Sequence, residues 1–82
     1  MNFNLFMLCV VDSYKTDWHE INLKFIPNGY TLYRYFESYY KNIETIWINK
    51  NGKDYNLKTV KNLADFIEIN PNRACIYLYL KI

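Results

Sequence analysis

The chain has 82 residues, 51% of them hydrophobic and 22% charged, with a formal net charge of +2. One small domain spanning residues 1–82 follows, and both a disordered chain and an acidic nucleic-acid mimic are excluded. A charge of +2 on scattered lysines is also too weak to name nucleic acid as partner.

Residues 3–12 read as a strand that is apolar on both faces. Phe3, Leu5, Met7, Cys9 and Val11 fall on one side and Phe6, Leu8 and Val10 on the other, which places the strand inside a sheet. Residues 12–17 are polar and turn-like. Residues 19–26 alternate again, with Ile21, Leu23 and Phe25 against Glu20, Asn22 and Lys24. One wet face and its lysine suit an edge strand.

Pro27, Asn28 and Gly29 break that strand. Thr31 is a helix-capping residue type. Leu32, Tyr35, Phe36, Tyr39 and Ile43 recur at helical spacing, so residues 31–42 read as an amphipathic helix. Tyr33, Arg34, Glu37, Tyr40 and Lys41 fall on its outer face, where Glu37 and Lys41 are spaced to pair.

Residues 44–49 form a strand with Ile46 and Ile48 on one side and Trp47 on the other. Asn51-Gly52 marks a tight hairpin, since both residues tolerate positive φ. A short polar strand returns over 53–57. Thr59 leads a second helical segment with Val60, Leu63, Ala64 and Ile67 buried. After Pro71 the last strand places Ile76, Leu78, Leu80 and Ile82 on one face and Cys75, Tyr77, Tyr79 and Lys81 on the other. The two most apolar strands, first and last, are expected to pair centrally. The result is an α+β fold with a mixed sheet and one main helix across one face, in the order ββαββαβ.

No chemistry-bearing constellation stands out. His19 is the lone histidine and reads as a strand residue near a turn. Cys9 and Cys75 lie in apolar strands and read as inert, reduced thiols. The glycines, Gly29 and Gly52, are both in turns, so there is no phosphate loop. No catalytic residue, metal ligand or cofactor is expected. The apolar run 5–11 lacks a basic flank and a small-residue cleavage site and is far too short to span a bilayer, so the chain is expected to be cytoplasmic, with no membrane partner.

The pattern resembles the ubiquitin-like β-grasp superfamily over nearly the whole chain. The resemblance is clearest where Ile46, Trp47 and Ile48 precede the hairpin, at the threonine-led segment from Thr59, and in the rhythm of Ile76, Tyr77, Leu78, Tyr79, Leu80 and Lys81. The chain departs from that family by ending in Lys81-Ile82 where conjugating members end in Gly-Gly, so tail chemistry is not implied. The resemblance does imply a partner-binding patch on the sheet face opposite the helix, at Trp47, Tyr77 and Tyr79. Strand alternation adds Phe6 and Leu8, and Lys81 borders the patch. Tyr30, Tyr33, Arg34 and Tyr40 form a second candidate surface, unless they reflect A/T-rich codon usage. That usage is suggested because Asn, Lys, Ile, Tyr and Phe make up more than half of the chain.

Function is therefore expected to be recognition, not catalysis. The leading expectation is a non-catalytic protein-binding module, an inhibitor of the kind that phages or mobile elements encode against host defence, anti-CRISPR proteins included. It would act in the host cytoplasm by occluding a target surface. Two alternatives stand beside it: a dimeric ubiquitin-like adaptor of a bacterial secretion system, and a single-stranded nucleic-acid binder using the same aromatics.

Overall fold

A computed structural model describes residues 2–82. Two long strands, β1 (Phe3–Val11) and β2 (Lys15–Leu23), form an antiparallel hairpin. The helix α1 spans Gly29–Tyr39. A second hairpin pairs β3 (Thr45–Lys50) with β4 (Lys53–Asn56). Two 3-10 turns, Leu57–Thr59 and Leu63–Phe66, then lead through β5 (Glu68–Ile69) to β6 (Ala74–Lys81). The mixed sheet runs β2-β1-β6-β3-β4, and β5 pairs with the start of β6.

The alternation of β1 and β6 explains the centre of this sheet. The two strands lie parallel, with Met7 opposite Ile76 and Cys9 opposite Leu78. Leu5, Met7, Cys9, Ile76 and Leu78 are fully buried, and together with Ile46, Ile48, Leu32, Phe36, Leu57 and Leu63 they make the core. A parallel pair cannot be closed by a tight turn. The intervening helix and second hairpin supply the crossover. β2 lies at one edge and carries Glu20 and Asn22, whereas Lys24, the anticipated edge lysine, falls just past its end.

The first turn is shorter than the polar run 12–17 suggests. Val11 pairs with Lys15, leaving Asp12, Ser13 and Tyr14 as the loop. Asp12 and Ser13 take positive φ (51° and 66°) without glycine. Asp12 is held there from both ends, because its N–H donates to Leu80 O at 2.8 Å and its Oδ1 accepts from Ile82 N–H at 2.9 Å. β2 therefore starts four residues earlier than expected and stops at Leu23, which leaves Phe25 exposed in the following loop.

The helix is also displaced from 31–42. Its cap is Asn28, whose Oδ1 accepts from Thr31 N–H at 2.8 Å, so Thr31 is the capped residue and not the cap. Gly29 is buried and donates to Val60 O at 2.7 Å. A Cβ at Gly29 would lie 1.9 Å from Leu57 O, so only glycine admits this approach. Starting the helix there buries Gly29, Leu32, Tyr33 and Phe36, an i, i+3, i+4, i+7 stripe. Tyr39 is left 62% exposed and Tyr35 partly buried. Glu37 pairs with Arg34 at 3.4 Å, and Lys41 lies beyond the helix end.

The Asn51-Gly52 hairpin forms as expected, with φ of 54° and 77°. The segment after it does not become one helix. Asn56 Oδ1 accepts from Lys58 N–H and Asn62 Oδ1 from Ala64 N–H, so each asparagine starts its own short turn. Thr59 caps nothing; its hydroxyl donates back to Asn56 O at 2.7 Å. Leu63 and Val60 are buried as anticipated, whereas Ala64 is exposed.

Candidate functional site

The helix covers one face of the sheet and leaves the other open. Strand register assigns its residues in rows. Trp18, Leu8 and Tyr77 stand side by side across β2, β1 and β6. The next row is Thr16, Val10, Tyr79, Trp47 and Asn56. On the other flank lie Glu20, Phe6, Cys75 and Glu68. The first two rows hold four large aromatics and two aliphatics in one contiguous surface.

Within this surface Trp47 and Tyr79 stack, with centroids 5.8 Å apart and planes inclined by 17°. Tyr79 remains 37% exposed and Tyr77 36%, while Trp18 is 65% exposed. Phe6, Leu8, Val10 and Trp47 are half-buried. The Arg73 guanidinium lies over the Phe6 ring, 4.9 Å from its centroid. A shallow basin of about 540 Å³ opens among Phe6, Trp18, Glu20, Arg73 and Tyr77. A smaller hollow of about 390 Å³ lies at the opposite end, bordered by Val10, Trp47, Tyr79 and Lys81. Lys81 pairs with Glu44 at 3.7 Å, so its charge is locally balanced.

The structure thus gathers Trp47, Tyr77, Tyr79, Phe6, Leu8 and Lys81 on one side of the molecule. It adds Trp18, which sequence reasoning assigned neither to the turn at 12–17 nor to the strand at 19–26. The signal was present, because Thr16, Trp18 and Glu20 alternate with Asp17, His19 and Ile21, but it becomes visible only once the turn is confined to three residues.

The second candidate surface is not brought together. Tyr33 is buried, with the Lys58 ammonium 4.4 Å from its ring centroid. Tyr40 is half-buried and folds inward beyond the helix end. Only Tyr30 and Arg34 remain exposed, and Arg34 is tied to Glu37. The displaced helix start is the physical reason, since it rotates Tyr33 into the interior.

Tyr40 instead joins a buried polar cluster on the helix side. His19 is 5% exposed and makes edge contacts with the rings of Tyr35, Phe36, Tyr39 and Tyr40. Tyr40 OH donates to Asp17 Oδ2 at 2.7 Å and accepts from His19 Nε2–H at 2.7 Å. Nδ1 is then free to accept from Tyr35 OH, 3.3 Å away. Burial lowers the His19 pKa from 6.5, against the opposing pull of the Asp17 carboxylate. Burial, followed by the Asp17 hydrogen bond, raises that of Tyr40. Both ring nitrogens of His19 are engaged within this chain.

Cys9 is buried on the helix side and its pKa is pushed up to about 12, chiefly by burial, so it is a thiol at neutral pH. Cys75 is buried on the open face, beside Phe6 and not beside Cys9. Facing opposite sides of the sheet, the two cannot form a disulfide with each other. Among the described residues no group of three or more His, Cys, Asp or Glu is placed to hold a metal. No described helix is long and apolar enough to cross a membrane.

No protein-family model, no curated protein and no solved structure matches the chain.

Proposed function

We propose that this protein is a non-catalytic binding module that holds a partner protein against the helix-free face of its sheet. One observation carries the reading: Trp18, Tyr77, Tyr79 and Trp47 form a contiguous aromatic surface over Leu8, Val10 and Phe6. An exposed apolar patch of this kind is a feature that monomers seldom keep without a use. Tryptophan and tyrosine supply large contact area at little entropic cost, which is why they anchor protein interfaces. Charge on this face is sparse and mixed, with Glu20 and Glu68 offsetting Arg73, and this favours a protein over a nucleic acid. Bound through this face, the domain would act by covering a surface that its partner needs, in the manner of an inhibitor.

The same reading extends to the fold type. An antiparallel first hairpin, a helix across one face, and a last strand inserted parallel to the first and beside the third support a β-grasp architecture. The short β5 is then an elaboration of the approach to β6.

The test is comparative capture from cell extract. The Trp18→Ala/Tyr79→Ala variant is expected to keep its circular dichroism and lose a protein that the wild type recovers. A Tyr30→Ala/Arg34→Ala variant, changed on the helix side, is expected to retain it. Equal recovery by all three would remove the assignment. Light scattering that finds a wild-type dimer and a monomeric Trp18→Ala/Tyr79→Ala variant would replace the outside partner with a second copy of the chain.

A further inference from the structure

A second surface, on the other side of the sheet, carries an independent proposal. Lys50, Lys53, Lys58 and Lys61 fall within twelve residues of chain that fold through β4 and the first 3-10 turn. Three of them border a hollow of about 580 Å³ between the β3–β4 hairpin and the second 3-10 turn. Its floor is Tyr55 and Phe66, packed edge to face at 5.2 Å. Tyr55 is paired with the buried Ile48, so its ring lies on the helix side of the sheet, the side opposite Trp18.

The ammonium groups are placed by aromatic rings. Lys50 Nζ lies 5.1 Å from the Phe66 centroid and donates to Asp65 O at 2.9 Å. Lys53 Nζ lies 5.4 Å from the Tyr55 centroid. Cation–π attraction holds such groups in position without neutralising them. The ion pairs among the described residues are Lys15–Asp17, Arg34–Glu37 and Lys81–Glu44, and none uses a lysine of this group. Asn62 adds a donor, because its Oδ1 is already taken by Ala64 N–H and its amide N–H groups are left over. One carboxylate, Asp65, stands on the rim. The hollow is therefore rich in donors, positive and apolar at its base.

We infer that this hollow binds an acidic segment of a partner protein, its carboxylates meeting Lys50, Lys53 and Lys61 and its apolar stems resting on Tyr55 and Phe66. A phosphodiester strand fits less well. Tyr55 and Phe66 are half-buried and packed edge to face, each with a lysine over its ring, so the ring surface left open suits aliphatic stems better than a stacked base. No arginine is present to grip phosphate with a two-pronged fork. Opposite charge at an exposed rim adds specificity and speeds encounter, and it weakens with salt.

The experiment titrates the isotope-labelled full chain at low salt with a short peptide alternating glutamate and leucine. Its glutamine analogue and a thymidine oligonucleotide of equal charge serve as comparisons. The glutamate peptide is expected to shift the Tyr55 and Phe66 signals, and the glutamine analogue is not. The K53Q/K61Q variant is expected to lose about tenfold in affinity, the loss of two exposed charge pairs. The K24Q/K41Q variant, with the same net charge but an intact rim, is expected to bind as the wild type does. No shift with the glutamate peptide would overturn the proposal, and so would an equal loss in both variants. Tighter binding of the oligonucleotide would overturn the choice of a protein segment.

Discussion

At the scale of single residues, His19 is the buried group whose titration lies nearest neutral pH. It sits among Asp17 of β2, Tyr35, Phe36 and Tyr39 of α1, Tyr40 just beyond it, and the buried Cys9 thiol of β1; Lys15 pairs with Asp17 at 3.8 Å. Burial favours its neutral form, so the folded chain resists protonation at a pH where the unfolded chain accepts it. Below about pH 6.5 the unfolded state then binds more protons, and stability falls as pH falls until the lowered folded-state pKa is passed. Above that window the contribution is fully present. As the sole histidine, His19 makes this window easy to isolate. Urea unfolding is expected to show a lower midpoint at about pH 5.5 than at about pH 7.5. A direct NMR titration of the ring is expected to place its pKa below 6.5. A midpoint that holds or rises on acidification, with a ring titrating at 6.5 or above, would contradict this account.

At the scale of elements, α1 is positioned by its first residues more than by its apolar pattern. Asn28 caps it, and Gly29 docks it against the backbone of the Leu57–Val60 segment. Alanine in place of Gly29 must push Leu57 O or the helix aside. Overpacking of that kind costs about 1–3 kcal/mol, against a helix-propensity gain of at most about 1 kcal/mol. Thermal unfolding of Gly29→Ala is expected several degrees lower, on the order of 4–8 °C per kcal/mol for a domain of this size. Removing the cap in Asn28→Ala is expected to cost about 1 kcal/mol. If Gly29→Ala unfolds at or above the wild-type temperature, the docking argument fails.

The same elements show what a single sequence can carry. Period-two alternation placed Leu5, Met7 and Cys9 inside, and likewise Ile76, Leu78 and Leu80, because a central strand has no freedom to slip a residue. The exposed sides of Tyr77 and Tyr79 followed from the same rule. The turn was legible over 12–17, but its confinement to Asp12, Ser13 and Tyr14 was not, since neither Asp12 nor Ser13 announces positive φ, and Trp18 was missed with it. Tyr33 and Tyr39 exchanged places because the docking of Gly29 is a tertiary contact that helical periodicity does not encode. The lysines at 50–61 looked scattered for a similar reason: β4 and the 3-10 turns bring them to one rim only after folding.

At the scale of the whole molecule, the fold is a sheet with one face packed on the core and the other left open, the face we propose for recognition. The helix, the two 3-10 turns and the inner faces of β1, β6 and β3 bury the core. The outer face gains nothing from those contacts, yet it carries Trp18, Trp47, Tyr77 and Tyr79. Truncating Trp18, at 65% exposed, is therefore expected to leave stability within about 0.5 kcal/mol of the wild type. Truncating the fully buried Phe36 to alanine is expected to cost about 3–5 kcal/mol. Denaturant unfolding of the two variants separates a surface that folding does not need from one that it does.

Both tryptophans of the chain lie on the proposed binding face, so it contains its own reporters. The most direct measurement is the ¹⁵N spectrum of the two indole N–H groups, recorded as the captured partner is added. The account predicts that the signals of Trp18 and Trp47 both move or broaden on complex formation, while the backbone amides of Tyr30 and Arg34 stay in place. A saturated complex in which both indole signals are unchanged would contradict it.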